Sequence, residues 1–426
     1  MLLLKNGRVL NPATGTDEIL DILICDDKVI DMAHNIEQSD CQIIDATGCF
    51  VMPGFIDLHV HLRDPGLTYK EDIKTGCNAA AKGGITTIVA MPNTKPVVDS
   101  IDTIEYIYKK AKEEGIVNVL QVGAITKGMQ GQELAPIEEM VAHGICAISE
   151  DGKSVMNSAL YKEAMKLAAK NNIPVLAHCE DINLVQGGVM NLDDNSRRLG
   201  LKGISNAVED IIVARDIMLA KETGARLHLC HCSTELSVRM IKEAKADGLT
   251  ISGEVCPHHF TLSSDDIKKN DSNYKMNPPL RTQNDVKALI NGLKEGIMEV
   301  ISTDHAPHSA EEKALPMEKA PFGIVGLETS AALTYTALVD SKVISPLDMA
   351  RKMSYTPAKI LGIEKGDISV GRIADIVIFN PNETYSIDSS TFVSKGHNTP
   401  YDGYPVKGRV ITTIVSGKIV YEYKNN

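Results

Sequence analysis

Pro53-Gly54-Phe55-Ile56-Asp57-Leu58-His59-Val60-His61-Leu62-Arg63 is the stretch at which the character of the chain changes. Apolar and polar residues alternate along it, which predicts a β-strand. Because side chains two residues apart on a strand point the same way, Asp57, His59 and His61 share one face. Two imidazoles on one face suit a metal ion, since histidine is the commonest protein metal ligand. On this stretch alone, a strand with one polar face and no metal is an equally good interpretation.

Length and composition describe a large globular protein and exclude several classes of function. The chain has 426 residues, of which 43% are apolar and 23% charged. Its net charge of −12 and the lack of a basic run argue against nucleic acid as a partner. No apolar run reaches the length that spans a membrane, so no membrane association is expected. The nine cysteines are scattered without a C-x-x-C pair, which favours reduced thiols and a cytoplasmic location.

From Phe55 onward, short apolar runs alternate with helical stretches. The opening stretch is the first of eight such runs, and the others are 86–91, 117–124, 144–149, 173–177, 226–230, 250–255 and 299–303. Eight strand–helix alternations in one block predict a TIM-like (β/α)8 barrel. We place this barrel at residues 51–365.

The two ends of the chain read instead as short β-strands. Asn6-Gly7 lies between apolar runs and predicts a hairpin turn, and Ser416-Gly417 predicts a second one. Neither terminal segment is large enough to bury a core alone. Residues 1–50 and 366–426 are therefore predicted to combine into one small β-sandwich domain beside the barrel.

Metal-type ligands fall at the carboxyl ends of the predicted strands, where barrels of this kind build their sites. Taken singly, each has a plainer interpretation as a buried histidine or a turn aspartate. Four imidazoles and two carboxylates together exceed what one tetrahedral zinc needs and suit two metal ions that share a carboxylate. Zinc is the best choice, with manganese and cobalt as alternatives. The predicted ligands are His59, His61, Asp151, His178, His231 and Asp304.

The opening stretch resembles the first metal motif of the amidohydrolase superfamily. Further stretches resemble the bacterial type I form of the dihydroorotase family, and these motifs run from about residue 50 to 330. The fourth strand reads Ile145-Cys146-Ala147-Ile148-Ser149-Glu150-Asp151 and has no lysine, whereas many superfamily members carry a carbamylated lysine there. Type I dihydroorotases are similar in using an aspartate, so Asp151 takes the bridging role. The matching stretches are LRDPG at 62–66, MPNT at 91–94, SEDG at 149–152, AHCE at 177–180, MNPPLR at 276–281, TDHAPH at 303–308 and PFG at 321–323.

The resemblance implies the reversible cyclisation of N-carbamoyl-L-aspartate to L-dihydroorotate in pyrimidine biosynthesis, with two zinc ions per chain. One ion would sit on His59, His61, Asp151 and Asp304, and the other on Asp151, His178 and His231. A bridging hydroxide would attack the amide carbonyl, with Asp304 as the catalytic general base and then general acid. Arg63 offers a donor fork that matches a substrate carboxylate. The implied substrate-binding residues are His61, Leu62, Arg63, Asn93, Asn277, His308, Phe322 and Gly323.

Two other functions stay open at this point. Another cyclic-amide hydrolase, such as a hydantoinase or allantoinase, is disfavoured by the missing strand-four lysine and by the presence of Arg63 and Asn93. A non-catalytic scaffold subunit would be expected to have lost ligands, and all six are present. We further expect a small-molecule substrate and a homo-oligomer, most simply a dimer.

Overall fold

A computed structural model describes residues 1–424 and divides them into strands and helices. The strands are β1 Leu2–Asn11, β2 Thr16–Cys25, β3 Lys28–Ala33, β4 Gln42–Asp45, β5 Phe50–Pro53, β6 Phe55–Val60, β7 Ile85–Ala90, β8 Asn118–Ala124, β9 Ala147–Ser149, β10 Val175–Ala177, β11 Met190–Asn191, β12 Gly203–Ile204, β13 Leu227–Leu229, β14 Ile251–Val255, β15 Val300–Ile301, β16 Ile376–Ser386, β17 Pro405–Val415 and β18 Lys418–Glu422.

The α-helices are α1 Ile73–Lys82, α2 Ile101–Glu114, α3 Ile137–Ala142, α4 Ser158–Lys170, α5 Ile182–Val185, α6 Asp194–Leu199, α7 Ala207–Thr223, α8 Glu235–Ala246, α9 Pro257–Thr261, α10 Gln283–Glu295, α11 Ala310–Lys313, α12 Ser330–Thr334, α13 Pro346–Ala350 and α14 Thr356–Leu361. Two π-helical stretches, Tyr335–Asp340 and Arg351–Tyr355, flank α13. Within residues 1–424, no helix combines the length and the hydropathy that crossing a membrane would need.

Eight parallel strands form the barrel in the order β6-β7-β8-β9-β10-β13-β14-β15. The first and last strands meet where Val60 pairs with His305 and the amide of His61 donates to the carbonyl of His305 at 2.9 Å. This contact closes the sheet and confirms the predicted (β/α)8 barrel. All eight strands run the same way, so their carboxyl ends open onto one mouth.

Local sequence explains the alternation of strand and helix. Every residue of β6 and of β7 is buried, as expected for strands covered on both sides. Asp72 caps α1 through a capping box with Thr75, and Thr282 does the same for α10 with Asp285. These caps start helices that return the chain to the amino end of the barrel, so that the next strand is again parallel.

The two termini form one further sheet in the order β18-β17-β16-β5-β1-β2-β3, with β4 also paired to β1. β5 joins the two halves because it pairs with β1 on one side and β16 on the other. The amide of Val29 in β3 donates to the carbonyl of Arg372, just before β16, at 3.0 Å. The sheet therefore curls back on itself around a shared apolar cluster. The joint terminal β domain is confirmed, while its bounds at residues 50/51 and 365/366 stay a prediction.

The hairpin turn predicted at Asn6-Gly7 is wrong. β1 continues through this dipeptide, and the pairing register with β2 shifts between Leu4 and Gly7. Asn6 has a φ of 61° and its amide donates to Asp21 at 2.8 Å. A left-handed residue is needed at some β-bulges as well as at tight turns, so the same dipeptide serves both. The turn itself lies farther on, between Asn11 and Thr16.

Candidate active site

The barrel mouth brings the six predicted ligands to one point. Ligand atoms of His59, His61 and Asp151 lie within 4.8 Å of one another, and so do those of Asp151, His178 and His231. Asp151 belongs to both sets and therefore lies between them. The sixth residue, Asp304, lies beside the first set, with Oδ1 3.0 Å from Nε2 of His61 and 3.6 Å from Nε2 of His59.

Distances around Asp151 show how closely the two sets approach. Its Oδ1 lies 3.1 Å from Nε2 of His59, 3.5 Å from Nδ1 of His178 and 3.8 Å from Nε2 of His231. Its Oδ2 lies 3.4 Å from Nε2 of His61. Burial raises the pKa of the Asp151 carboxyl, but the imidazoles, His59 first, outweigh burial and hold this pKa well below its ordinary value. The central carboxylate is therefore anionic, as a metal ligand must be.

The donor set fits a pair of divalent cations. All six residues are buried, the most exposed being Asp304 at 8%. Nε2 of His59 and Oδ1 of Asp151 are inaccessible to solvent and form no hydrogen bond of acceptable geometry within residues 1–424. Buried polar atoms without partners are costly, and a bound cation would satisfy both. Imidazole and carboxylate together suit zinc, with manganese and cobalt as further possibilities.

Carboxylates outside the six predicted ligands face the second nitrogens of His59 and His178. Oε1 of Glu254 lies 3.3 Å from Nδ1 of His59 and accepts the backbone amide of His231 at 3.2 Å. Oε2 of Glu180 lies 3.1 Å from Nε2 of His178. The Glu180 contact is a hydrogen bond and orients the His178 ring. Nδ1 of His59 forms no hydrogen bond of acceptable geometry within residues 1–424. The sequence interpretation missed both carboxylates, although each left a signal: Glu254 is a charged residue inside a buried strand, and Glu180 follows His178 by two residues.

Asn93 contacts two of the predicted metal ligands. Its Oδ1 lies 2.9 Å from Nδ1 of His61, and its Nδ2 donates to Oδ2 of Asp151 at 3.2 Å. The amide therefore positions the first ligand set. The same NH2 group also donates to the backbone carbonyl of Asp151 at 3.5 Å.

Three of these strand-end residues have left-handed backbones. Arg63 has a φ of 59°, His231 of 34° and Asp304 of 49°. Residues other than glycine rarely adopt this region, and the strain concentrates at functional sites. Within residues 1–424, three of the eleven non-glycine residues with positive φ thus lie at the barrel mouth.

Arg63 is a cation without an anionic partner. Its Nε donates to the carbonyl of Pro307 at 3.4 Å and its Nη2 lies 3.5 Å from Nε2 of His308. Among residues 1–424 it forms no salt bridge, and burial lowers the pKa of its guanidinium. A half-buried guanidinium left unpaired fits an anionic group of a ligand.

The remaining predicted substrate residues surround this arginine and the ligands. Nε2 of His308 lies 2.8 Å from the carbonyl oxygen of Phe322, which precedes Gly323. Asn277 donates to Oε1 of Glu180 at 2.8 Å and so lies beside the second ligand set. The Leu62 side chain is buried against Gly76 of α1, so only its backbone is left to face the mouth.

Comparison with known proteins identifies the family. The dihydro-orotase-like family model matches residues 48–237. The chain is 45% identical over 423 residues to the dihydroorotase of Ruminiclostridium cellulolyticum, and 46% identical over 423 residues to that of Acetivibrio thermocellus. Each alignment covers 99% of both chains. The chain belongs to the dihydroorotase family. It is accordingly a hydrolase of the class that acts on cyclic amides, as the sequence predicted.

Solved structures of similar fold are hydantoinases. The L-hydantoinase (dihydropyrimidinase) of Arthrobacter aurescens superposes with a TM-score of 0.89 at 26% identity, covering 100% of this chain and 96% of that one. The dihydropyrimidinase of Brevibacillus agri NCHU1002 gives 0.87 at 25% identity, covering 99% and 95%. They share the barrel architecture with this dihydroorotase-family chain, yet its sequence lies much closer to dihydroorotases. The hydantoinase alternative therefore holds at the level of the fold and not of the family.

Proposed function

We propose that this chain interconverts L-dihydroorotate and N-carbamoyl-L-aspartate, in pyrimidine biosynthesis, with two zinc ions bound at the barrel mouth. The observation that carries the proposal is that Asp151 is shared by two histidine sets, next to an unpaired Arg63. The shared carboxylate suits a two-metal hydrolase, and the arginine suits a substrate that carries a carboxylate. Family membership and these side chains point to the same reaction.

Six residues are proposed as metal ligands. His59, His61, Asp151 and Asp304 would hold one ion, and Asp151, His178 and His231 the other. When bound, a zinc pair supplies Lewis acidity to a carbonyl oxygen and lowers the pKa of a bound water toward about 7. No lysine lies in β9, so no carbamylated residue is expected.

Asp304 is proposed as the group that moves the proton. It lies at the end of the last barrel strand, and its Oδ1 is within 3.6 Å of two histidines. Burial raises the pKa of its carboxyl, but His61 and then His59 outweigh burial and hold the pKa below its ordinary value, so the group starts as a base. In ring opening it accepts a proton from the attacking water and delivers it to the departing ring nitrogen. Ring closure runs the same transfers in reverse.

Substrate orientation is proposed to begin at Arg63, whose guanidinium pairs with the substrate carboxylate. The Asn93 amide borders the same pocket, where Leu62 offers backbone groups and His61 lies alongside. Nδ2 of Asn277 already donates one hydrogen to Glu180, so its second N–H and its Oδ1 are left to meet the ring. His308 and the backbone of Phe322 and Gly323 close the far side.

The finer partner and location assignments are also proposals. Exposed apolar side chains on neighbouring helices support a homodimer: Ile211 and Met218 on α7 are 49% and 70% exposed, and Ile182 and Leu184 lie on α5. Light scattering on the purified protein, with Met218→Glu as the comparison, tests this assignment.

All nine cysteines are free thiols, which supports a reducing cytoplasm. Nucleic acid and membranes are not expected partners.

One preparation tests the proposed function. Purified protein is analysed for metal and assayed by absorbance for opening of the dihydroorotate ring, with hydantoin and allantoin as alternative substrates. We expect close to two metal ions per chain and turnover of dihydroorotate well above that of the other two cyclic amides. Preference for hydantoin, or one metal ion per fully active chain, would contradict the proposal.

A further inference from the structure

Asn398 lies outside the barrel strands and their helices, in the segment 387–404 that connects β16 to β17. It is nevertheless 4% exposed, and its side chain binds the loops at the barrel mouth. Its Oδ1 accepts the backbone amide of His308 at 3.0 Å. Its Nδ2 donates to the carbonyls of Ala306 and Gly323, each at 3.0 Å. Its own carbonyl accepts the amide of Val325 at 2.9 Å.

These four bonds join two stretches of backbone that α11 and its flanking loop separate in sequence. Ala306 and His308 follow β15, whereas Gly323 and Val325 come after the loop. Both stretches carry residues that the proposed function assigns to the substrate. The amide of Ala306 also donates directly to the carbonyl of Ile324 at 2.8 Å. The Asn398 side chain adds three bonds to this link and thereby sets where His308 and Gly323 lie across the proposed pocket.

The spacing between these walls leaves little room for adjustment. A Cβ placed on Gly323 would meet Cβ of Ala306 at 2.6 Å and Nε2 of His308 at 3.1 Å. The His308 ring in turn lies 2.8 Å from the carbonyl oxygen of Phe322. A small change in how Asn398 holds the backbone would thus move the His308 ring relative to the glycine.

The segment that carries Asn398 has a second attachment to the barrel. Ser394 Oγ hydrogen bonds to Oε2 of Glu71, and the amide of Lys395 donates to Oε1 of Glu71 at 3.3 Å. Glu71 also faces His305, with Oε2 3.2 Å from Nε2. Because these bonds remain when Asn398 is changed, the segment stays anchored and the substitution acts mainly on the two walls.

We infer that Asn398 is a positioning residue for the substrate, supplied by the terminal β domain rather than by the barrel. The inference rests on the proposed function, since it takes His308 and Gly323 as parts of the substrate pocket. Asn398 acts through the backbone of these residues and touches no metal ligand. Its loss should weaken substrate binding and leave the metal centre complete.

The test compares two buried asparagines. Asn398→Asp keeps the size and one acceptor but turns two donated bonds into contacts between a carboxylate and carbonyls. Asn11→Ala is the matched control, because Asn11 is 1% exposed and donates to Asp367 at 2.9 Å and Ser369 at 3.1 Å, within the terminal β domain. Both variants are measured for melting temperature, metal content, and kcat and KM on dihydroorotate.

We expect Asn398→Asp to raise KM about tenfold or more, with kcat within about threefold of wild type and the metal content unchanged. Asn11→Ala should lower the melting temperature and keep the wild-type KM. An unchanged KM in Asn398→Asp, or an equal rise in both variants, overturns the inference. Absence of dihydroorotate turnover in wild-type protein would instead remove the proposed function, so the two failures are distinguishable.

A measurement on wild-type protein covers the case in which Asn398→Asp does not fold. Hydrogen exchange is followed at the backbone amides of His308 and Val325, both of which donate hydrogen bonds directly to Asn398. Both amides should exchange far more slowly than those of two exposed residues between them, Glu311 in α11 and Leu315 after it. Fast exchange at His308 and Val325 overturns the inference without any variant.

Discussion

Glu180 accepts a hydrogen bond from Nδ2 of Asn277 at 2.8 Å through one carboxylate oxygen. Its other oxygen lies 3.1 Å from Nε2 of His178. Because the side chain is only 7% exposed, water cannot readily replace either contact. A proposed metal ligand and a proposed substrate residue are therefore oriented by one buried carboxylate.

Glu180→Gln is expected to weaken the second metal site. The neutral amide loses the charge that holds the His178 ring and cannot reproduce both contacts, and changes of this kind commonly cost about 10- to 100-fold in metal affinity. Zinc titration against a chelator of known affinity measures the effect, and KM should rise because Asn277 is released. Glu209→Gln is the control, since Glu209 is equally buried but bonds Ser233 and Ser237. Equal metal affinity in both variants would contradict the prediction.

Asp304→Asn is expected to reduce kcat by at least about 100-fold in both directions of the reaction. The amide has no basic oxygen to accept the proton from water, and positioned general bases contribute about 10²- to 10⁴-fold. Metal analysis accompanies the assay, because Asp304 is also a proposed ligand. Turnover near the wild-type rate in a variant that retains two metal ions would rule out the assigned proton transfer.

Local pattern was enough to find the barrel and the residues at its strand ends. A short apolar run followed by a helical pattern shows where each barrel strand ends. The carboxyl ends of the strands form the mouth, so His178 and Asp304 are placed there without any knowledge of their neighbours. Glu254 was visible in the sequence only as a charge inside a predicted strand. Its contact with His59, like the contacts of Asn398, joins segments far apart in sequence, which no local pattern encodes. Asn6-Gly7 misled for the opposite reason: its conformational preference is real, but a bulge satisfies it as well as a turn does.

Gly323→Ala is expected to raise KM for dihydroorotate about tenfold or more, with kcat less affected. Gly323 has a φ of 134°, and the added methyl group would meet Cβ of Ala306 at 2.6 Å. To relieve this clash, the backbone at Phe322 and Gly323 must move away from His308, which disturbs the proposed pocket. Steady-state kinetics on dihydroorotate measure the change.

Gly200→Ala separates this clash from the cost of the backbone conformation alone. Gly200 also has a positive φ, 68°, but among residues 1–424 nothing lies within 4 Å of the position that an added methyl group would occupy. Both substitutions should lower the melting temperature, since alanine is strained at positive φ. Only Gly323→Ala should change KM, and a KM increase in both variants would count against a local effect on the pocket.

Lys352 provides a pH-dependent test of stability remote from the site. It is 6% exposed, its ammonium donates to the carbonyl of Met298 at 2.9 Å, and burial lowers its pKa from 10.5 to about 8. The folded chain thus binds this proton less tightly than the unfolded chain, and stability should rise between pH 8 and pH 10.5. Below pH 8 the buried ammonium lowers the free energy of unfolding by its full amount, on the order of 3 kcal/mol at about 1.4 kcal/mol per pKa unit. Lys352→Met should remove this dependence. The melting temperature of wild type should therefore rise relative to that of the variant from about pH 8 to about pH 10. The exposed Lys287→Met serves as the control, and curves for wild type and Lys352→Met that stay parallel over this range would refute the assignment.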